Sequence, residues 1–246
     1  MPPTLIGASF ILSSVGVKLR VGVLFTGGKD SVMALHKAVE SGLRPVVLLT
    51  AIPLYRYSML YHQPIFTCLQ LQAKALELPL ETIGVYDPQM ELTSLKLLIR
   101  RAKVKYRVEA IVTGAIKSRY QFRVFNDIAL EEGLKVYAPL WMIDEESYLR
   151  ELVEAGIRFM LISITSMGIP LSLLGKVVEK DDVERLITLS KKYGFNLSFE
   201  GGDAETLVVD APLFKYVLAP SGRVEVVSEF EGYYVVEKVK LLRKRS

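Results

Sequence analysis

The residues of this chain best suited to chemistry are Phe25-Thr26-Gly27-Gly28-Lys29-Asp30-Ser31. They end an apolar run, Arg20 to Phe25, that reads as a buried strand. They precede Val32 to Ala38, whose apolar residues recur at helical spacing. A strand that turns straight into a helix through two glycines can expose backbone N–H groups to a phosphate, with the positive end of the helix dipole behind them. The pattern is not the common P-loop, whose glycines stand further apart and whose Lys is followed at once by Ser or Thr. Here Lys29 is followed by Asp30. A plain turn capped by Asp30 or Ser31 would account for a glycine pair alone. A hydroxyl, two glycines, a cation, a carboxylate and a second hydroxyl in one turn favour the phosphate reading.

Two further stretches could join that site. Glu200-Gly201-Gly202-Asp203-Ala204-Glu205-Thr206 sets three carboxylates around two glycines just before a strand. Such a turn can position a substrate, a metal or an incoming amine, although a solvated glycine turn also fits. Gly114-Ala115-Ile116-Lys117-Ser118-Arg119-Tyr120-Gln121 joins a strand to a helix, which would bring Ser118 and Arg119 to the carboxyl edge of a sheet. There Arg119 and Lys29 would together suit a polyphosphate. His62, in the long connection after the second strand, is a candidate substrate contact. His36 reads as a helix-face residue and Cys68 as a packing residue.

The elements that must position these residues alternate. Strands are expected at Arg20–Phe25, Pro45–Ala51, Pro79–Val85, Ala110–Gly114 and Lys135–Ala138, with helices after the glycine turn and over Cys68–Leu76, Met90–Lys105 and Phe122–Glu132. This rhythm implies an α/β fold with a doubly wound, parallel, five-stranded sheet, whose ligands bind beyond the carboxyl ends of the strands. Beyond Trp141 the style changes. A helix at Glu145–Ala155, a strand at Arg158–Ile164 and a helix after Asp181, whose start with Glu184 three residues on resembles a capping box, lead into a strand-rich end. That end reads as strands Thr206–Val209, Lys215–Leu218, Val224–Ser228 and Tyr233–Val239, with a turn at Pro220-Ser221-Gly222. The expected organisation is an N-terminal extension over 1–17, a parallel-sheet domain carrying the glycine turn over 18–140 and a smaller C-terminal α/β domain over 141–246.

Composition sets outer bounds. Of the 246 residues half are hydrophobic, enough for a sizeable core, and 31 Lys and Arg against 27 Asp and Glu leave a net charge of +4. That excess does not demand a nucleic-acid partner, and the basic end, Lys238 to Arg245, has no aromatic platform among its charges. One cysteine excludes an internal disulfide and suits a reducing cytoplasm. The apolar run Ile6–Leu12 is too short to span a bilayer, so no membrane partner is expected.

The four stretches LFTGGKDS, MLYHQPIFTCLQLQAKAL, TGAIKSRYQ with LKVYAPLW, and EGGDAETLVVDAPLFKY, in this order, resemble the diphthine-ammonia ligases of the PP-loop, or N-type ATP pyrophosphatase, superfamily, archaeal members included. Thr26 stands where that loop usually has Ser, and Asp203 where the family usually has Glu. The resemblance implies an adenine nucleotide alpha hydrolase-like fold and a reaction in which ATP adenylates the carboxylate of diphthine on elongation factor 2. Ammonia then displaces AMP. It implies that Thr26, Gly27, Gly28 and Ser31 cradle the pyrophosphate, that Lys29 neutralises it, and that Asp30 orients the loop or helps hold Mg²⁺. Ala51, Gly114, Ser118 and Arg119 would lie along the nucleotide. Glu200, Asp203 and Glu205 would stand nearer the acceptor and ammonia, with His62, Tyr120, Gly201, Gly202 and Thr206 as substrate contacts. Elongation factor 2 and ammonia are thus the expected partners, and a homodimer is left open. The alternatives are a tRNA-modifying relative in the superfamily, disfavoured where sulfur transfer needs paired cysteines, and an ATP-binding module without turnover.

Overall fold

The computed structural model describes residues 18–55 and 65–244. The expected extension over 1–17, and His62, lie outside these residues. In chain order the elements are β1 (Arg20–Leu24), α1 (Lys29–Glu40), β2 (Arg44–Pro53), α2 (Phe66–Leu76), β3 (Leu80–Val85), α3 (Glu91–Tyr106), β4 (Ala110–Val112), α4 (Arg119–Glu131) and β5 (Lys135–Tyr137). They continue as α5 (Glu145–Glu154), β6 (Arg158–Ile164), α6 (Lys180–Tyr193), β7 (Ala204–Asp210), β8 (Tyr216–Val226) and β9 (Gly232–Arg243).

The first five strands form one parallel sheet in the order β3-β2-β1-β4-β5. The chain builds outward from β1 on one side and then returns to place β4 on the other. The carboxyl ends of β1 and β4 therefore flank the crevice where such sheets bind ligands. Alternation along the buried strands splits the core by face. Val21, Val23, Leu48, Ala110 and Val112 pack toward α1 and α2, whereas Val47, Leu49, Ile111 and Val136 pack toward α3 and α4. The sheet is doubly wound, as the alternation of its elements implies.

The C-terminal half forms a second, antiparallel sheet in the order β7-β6-β9-β8. Its apolar residues, among them Tyr148, Phe159, Leu161, Leu207 and Phe214, share one continuous core with α1 and α2. Backbone hydrogen bonds cross the joint: Val208 N–H donates to the Gly27 carbonyl at 3.0 Å and Lys215 N–H to the Ala75 carbonyl at 2.7 Å. The second sheet thus lies against the side of the first that carries the Gly27-Gly28 loop.

Two local expectations need correction. Pro220-Ser221-Gly222 is not a turn but lies inside β8, paired with β9 through a register shift at Ser221/Gly222. β8 is an edge strand, where a Pro without an N–H is tolerated, and the irregularity absorbs the extra residue. Helix α6 begins at Lys180 rather than after Asp181, because the reciprocal capping box is formed by Glu179 and Asp182, not by Asp181 and Glu184.

Candidate functional site

The loop after β1 is held by its own side chains and by the C-terminal half. Ser31 Oγ accepts from the Thr26 N–H and hydroxyl, both at 3.3 Å, and donates to the Gly28 carbonyl at 3.0 Å. Gly27 adopts φ +78°, which favours glycine, and its carbonyl accepts from Val208 N–H and from Gln72 Nε2 at 2.9 Å. That carbonyl is therefore committed to β7 and α2. Gly28 is the N-cap of α1, and no side chain caps the helix. One first-turn donor, Lys29 N–H, meets Thr206 Oγ1 at 3.1 Å. A helix start without a side-chain cap at the switch point of a parallel sheet has the chemistry to receive an anionic ligand.

Lys29 and Asp30 lie at the joint between the two halves. The Lys29 ammonium is buried at 1% exposure, ion-paired with Asp30 at 2.8 Å and donating to the Ser198 carbonyl at 2.5 Å. It also stands 5.0 Å from the centre of the Phe199 ring. Asp30 Oδ1 accepts the Tyr148 hydroxyl at 2.6 Å. Burial first, and then the Asp30 charge, push the Tyr148 hydroxyl well above its usual pKa, so it is a neutral donor.

Two clefts open on this joint. The first, roughly 720 Å³ including space open to solvent, lies at the carboxyl ends of the parallel strands. Ala51, Leu95, Leu98, Gly114, Gln121 and Phe125 line its walls, and Thr26, Asp30 and Ser31 lie at the end formed by the loop after β1. The second, roughly 590 Å³ by the same measure, lies between α2, the loop and β7, where Cys68, Gln72, Phe199, Glu205 and Thr206 meet. Thr26, Asp30 and Glu200 line both. Burial pushes the Cys68 thiol up to about 11, which keeps it an inert packing group.

The three acids around the Gly201-Gly202 turn do not face one point. Glu200 accepts Ile116 N–H and Lys117 N–H, one on each oxygen at 2.9 Å, and so clamps the loop after β4 to the C-terminal half. A carboxylate held on both oxygens by backbone donors is a brace rather than a free base. Asp203 accepts from Asn196 N–H at 2.9 Å and from the Ser166 hydroxyl, within its own half. Glu205 alone of the three lines only the second cleft. Gly201 and Gly202 turn the chain at φ +87° and +90°. Among the described residues, no three His, Cys, Asp or Glu side chains come together as a metal cluster.

The stretch after β4 is used differently from expectation. Ser118 caps α4 by accepting from Gln121 N–H at 3.4 Å, while Arg119 and Tyr120 are exposed and line neither cleft. Helix α4 starts at Arg119, so both residues fall in its first turn. Lys117 instead pairs with Glu145 at 2.5 Å. Burial alone would raise the Glu145 pKa, but hydrogen bonds from Lys117 and Ser198 hold it below its usual value.

Gln72 and Tyr148 are the residues that sequence reasoning missed. Gln72 is fully buried and joins α2 to both the Gly27 and Val208 carbonyls. Its signal was its place on the stripe Cys68-Leu69-Gln72-Ala73, a polar residue on a buried helix face. Tyr148 shares the buried face of α5 with Leu149 and Leu152.

Among known proteins, residues 19–136 match the diphthamide synthase N-terminal domain family and residues 144–242 the diphthamide synthase C-terminal domain family. A human protein described as a diphthine–ammonia ligase is 31% identical over 248 residues, covering 91% of this chain and 91% of its own. A Schizosaccharomyces pombe protein with the same description is 33% identical over 244 residues, which is 90% of this chain and 39% of its own length. A solved structure from Methanocaldococcus jannaschii, described as a predicted subunit of tRNA methyltransferase, aligns with a TM-score of 0.40 at 18% identity. It covers 79% of this chain and 98% of that one, a likeness too slight to carry an argument. Both domain families are matched in order along nearly the whole chain, and the chain belongs to the diphthamide synthase family.

Proposed function

We propose that this protein is a diphthine–ammonia ligase that uses ATP to amidate the diphthine residue of elongation factor 2. The observation that carries this reading is the human relative described by that activity, aligned over 91% of both chains. The site has the chemistry the reaction needs. A carboxylate has no adequate leaving group for attack by ammonia, so one of its oxygens first attacks the α-phosphorus of ATP and the bond to the bridging oxygen breaks. Pyrophosphate leaves, and ammonia then displaces AMP to give the amide.

In this reading the adenosine occupies the larger cleft beside Ala51 and Gly114. The polyphosphate runs to the uncapped start of α1, where Thr26, Gly27, Gly28 and Ser31 shape the cradle. Donors already aimed at the leaving pyrophosphate stabilise its growing charge. Lys29, held beside the cradle, supplies a compensating charge. The acceptor approaches through the second cleft, whose Glu205 and Thr206 face it, and the two substrates meet where Thr26, Asp30 and Glu200 are shared. Asp30 fits a hard cation carried by the phosphates, because it is the carboxylate shared by both clefts that is not clamped by backbone donors on both oxygens. Mg²⁺ bound there would neutralise phosphate oxygens. The cytoplasm, where elongation factor 2 works, is the setting this implies.

The test is to incubate the protein with ATP, ammonium and elongation factor 2 carrying diphthine. AMP, pyrophosphate and the amidated residue are expected in equal amounts. ADP as the product, or ATP binding without amidation, overturns the reading.

A further inference from the structure

The C-terminal half does more to the phosphate loop than cover it. Three consecutive residues reach it or its neighbour: the Ser198 carbonyl accepts from the Lys29 ammonium, the Phe199 ring lies against that ammonium, and Glu200 clamps the loop after β4. Phe199 holds φ +61°, a left-handed backbone that a bulky residue rarely adopts. The fourth contact is the Tyr148 hydroxyl on Asp30.

That contact has a direction. Among the described residues, Asp30 Oδ1 takes both the Tyr148 hydroxyl at 2.6 Å and the Lys29 ammonium at 2.8 Å, whereas Oδ2 takes only Lys29, at 3.0 Å. Tyr148 is fully buried in the core shared by the two halves, so its hydroxyl is a fixed anchor. The Asp30 side chain is 30% exposed at the junction of the clefts. With two donors on Oδ1 and one on Oδ2, Oδ2 is the oxygen with the greater capacity left for a ligand.

We propose that Tyr148 is a positioning residue that fixes the Asp30 carboxylate so that its second oxygen receives the divalent cation accompanying ATP. The proposal rests on the ATP site described above but not on the identity of the acceptor. Without the hydroxyl only Lys29, which already touches both oxygens, restrains the Asp30 carboxylate, so it is free to rotate and its affinity for the cation falls. A hydrogen bond to a charged group supports an expected loss of about ten- to a hundredfold.

The experiment measures ATP dissociation constants by calorimetry with excess Mg²⁺ and with a chelator, for the wild type, Tyr148→Phe, Asp30→Asn and the double variant. Tyr148→Phe is expected to lose about tenfold or more of the tightening by Mg²⁺ while ATP binding in chelator stays within about twofold of wild type. In the Asp30→Asn background it should add no further loss, because it acts through that carboxylate. Tyr137→Phe, which removes a hydroxyl contact with Ser41 at the opposite end of α1 from Gly28, should bind like wild type. Equal weakening with and without Mg²⁺, the same loss in the Asp30→Asn background, or an Asp30→Asn protein with undiminished tightening by Mg²⁺ overturns the proposal. Wild-type protein that shows the expected binding pattern but amidates nothing overturns the ligase reading alone.

Discussion

At the scale of single residues, a close backbone approach at Gly28 was legible and its partner was not. Two glycines between a strand and a helix announce a close backbone approach, but not to what. The structure gives Gly28 a neighbour within the protein: a Cβ there would stand 3.1 Å from Thr206 Oγ1 and 3.3 Å from the Thr206 carbonyl. Gly28→Ala is therefore expected to cost about 1–3 kcal/mol of stability through overpacking. Because Thr206 Oγ1 also receives Lys29 N–H, Thr206→Ala destabilises by itself, yet the double variant should lose less than the sum of the two. Urea unfolding of the four proteins checks this, and strict additivity would mean that the methyl is accommodated elsewhere. Glu200 shows the same limit of local reading. Its acceptor role depends on Ile116 and Lys117, 84 and 83 residues away, and no spacing within Glu200–Thr206 could reveal it.

At the scale of elements, the parallel half could be read almost strand by strand because burial on both faces leaves continuous apolar runs. The edge of the second sheet could not, since an edge strand tolerates Pro220 and Gly222 that otherwise signal a turn. The most consequential contact between elements is at Gly114. A Cβ there would lie 2.7 Å from the Asp30 carbonyl carbon and oxygen and 2.9 Å from Ser31 N. These are backbone atoms at the start of α1 and cannot swing aside. Gly114→Ala should displace the helix start from the loop after β4, weakening ATP binding by more than tenfold and lowering stability by about 2–3 kcal/mol. Calorimetric titration with ATP and thermal unfolding measure the two effects. Full ATP affinity in a destabilised variant would show that the strain is relieved away from the cradle.

At the scale of the whole molecule, the two halves act as one body because polar groups as well as apolar surface cross their joint. His36 is one such group, and sequence reasoning, which placed it on a helix face, had no means of seeing its distant partner. Its Nδ1 lies 2.8 Å from the Val32 carbonyl, and Nε2 accepts from Leu213 N–H at 3.2 Å, 177 residues away. This pairing requires the neutral ring with the proton on Nδ1. Burial lowers the His36 pKa from its usual 6.5, outweighing the opposite pull of the Val32 carbonyl and Glu40, while Lys244 adds to the lowering. Below about pH 6.5 the unfolded chain therefore binds a proton that the folded protein refuses. Stability contributed by the neutral ring is complete above that pH and declines as the pH falls toward the lowered value. The slope is at most about 1.4 kcal/mol per pH unit. His36→Gln, which keeps a hydrogen-bonding side chain without this titration, should remove that part of the decline. Comparing denaturant midpoints of the two proteins between pH 7.5 and about pH 5 isolates the His36 contribution from other groups that titrate there. Parallel curves would show that the joint tolerates a charged imidazole, and the coupling of α1 to the C-terminal half would then rest on apolar packing and backbone bonds alone.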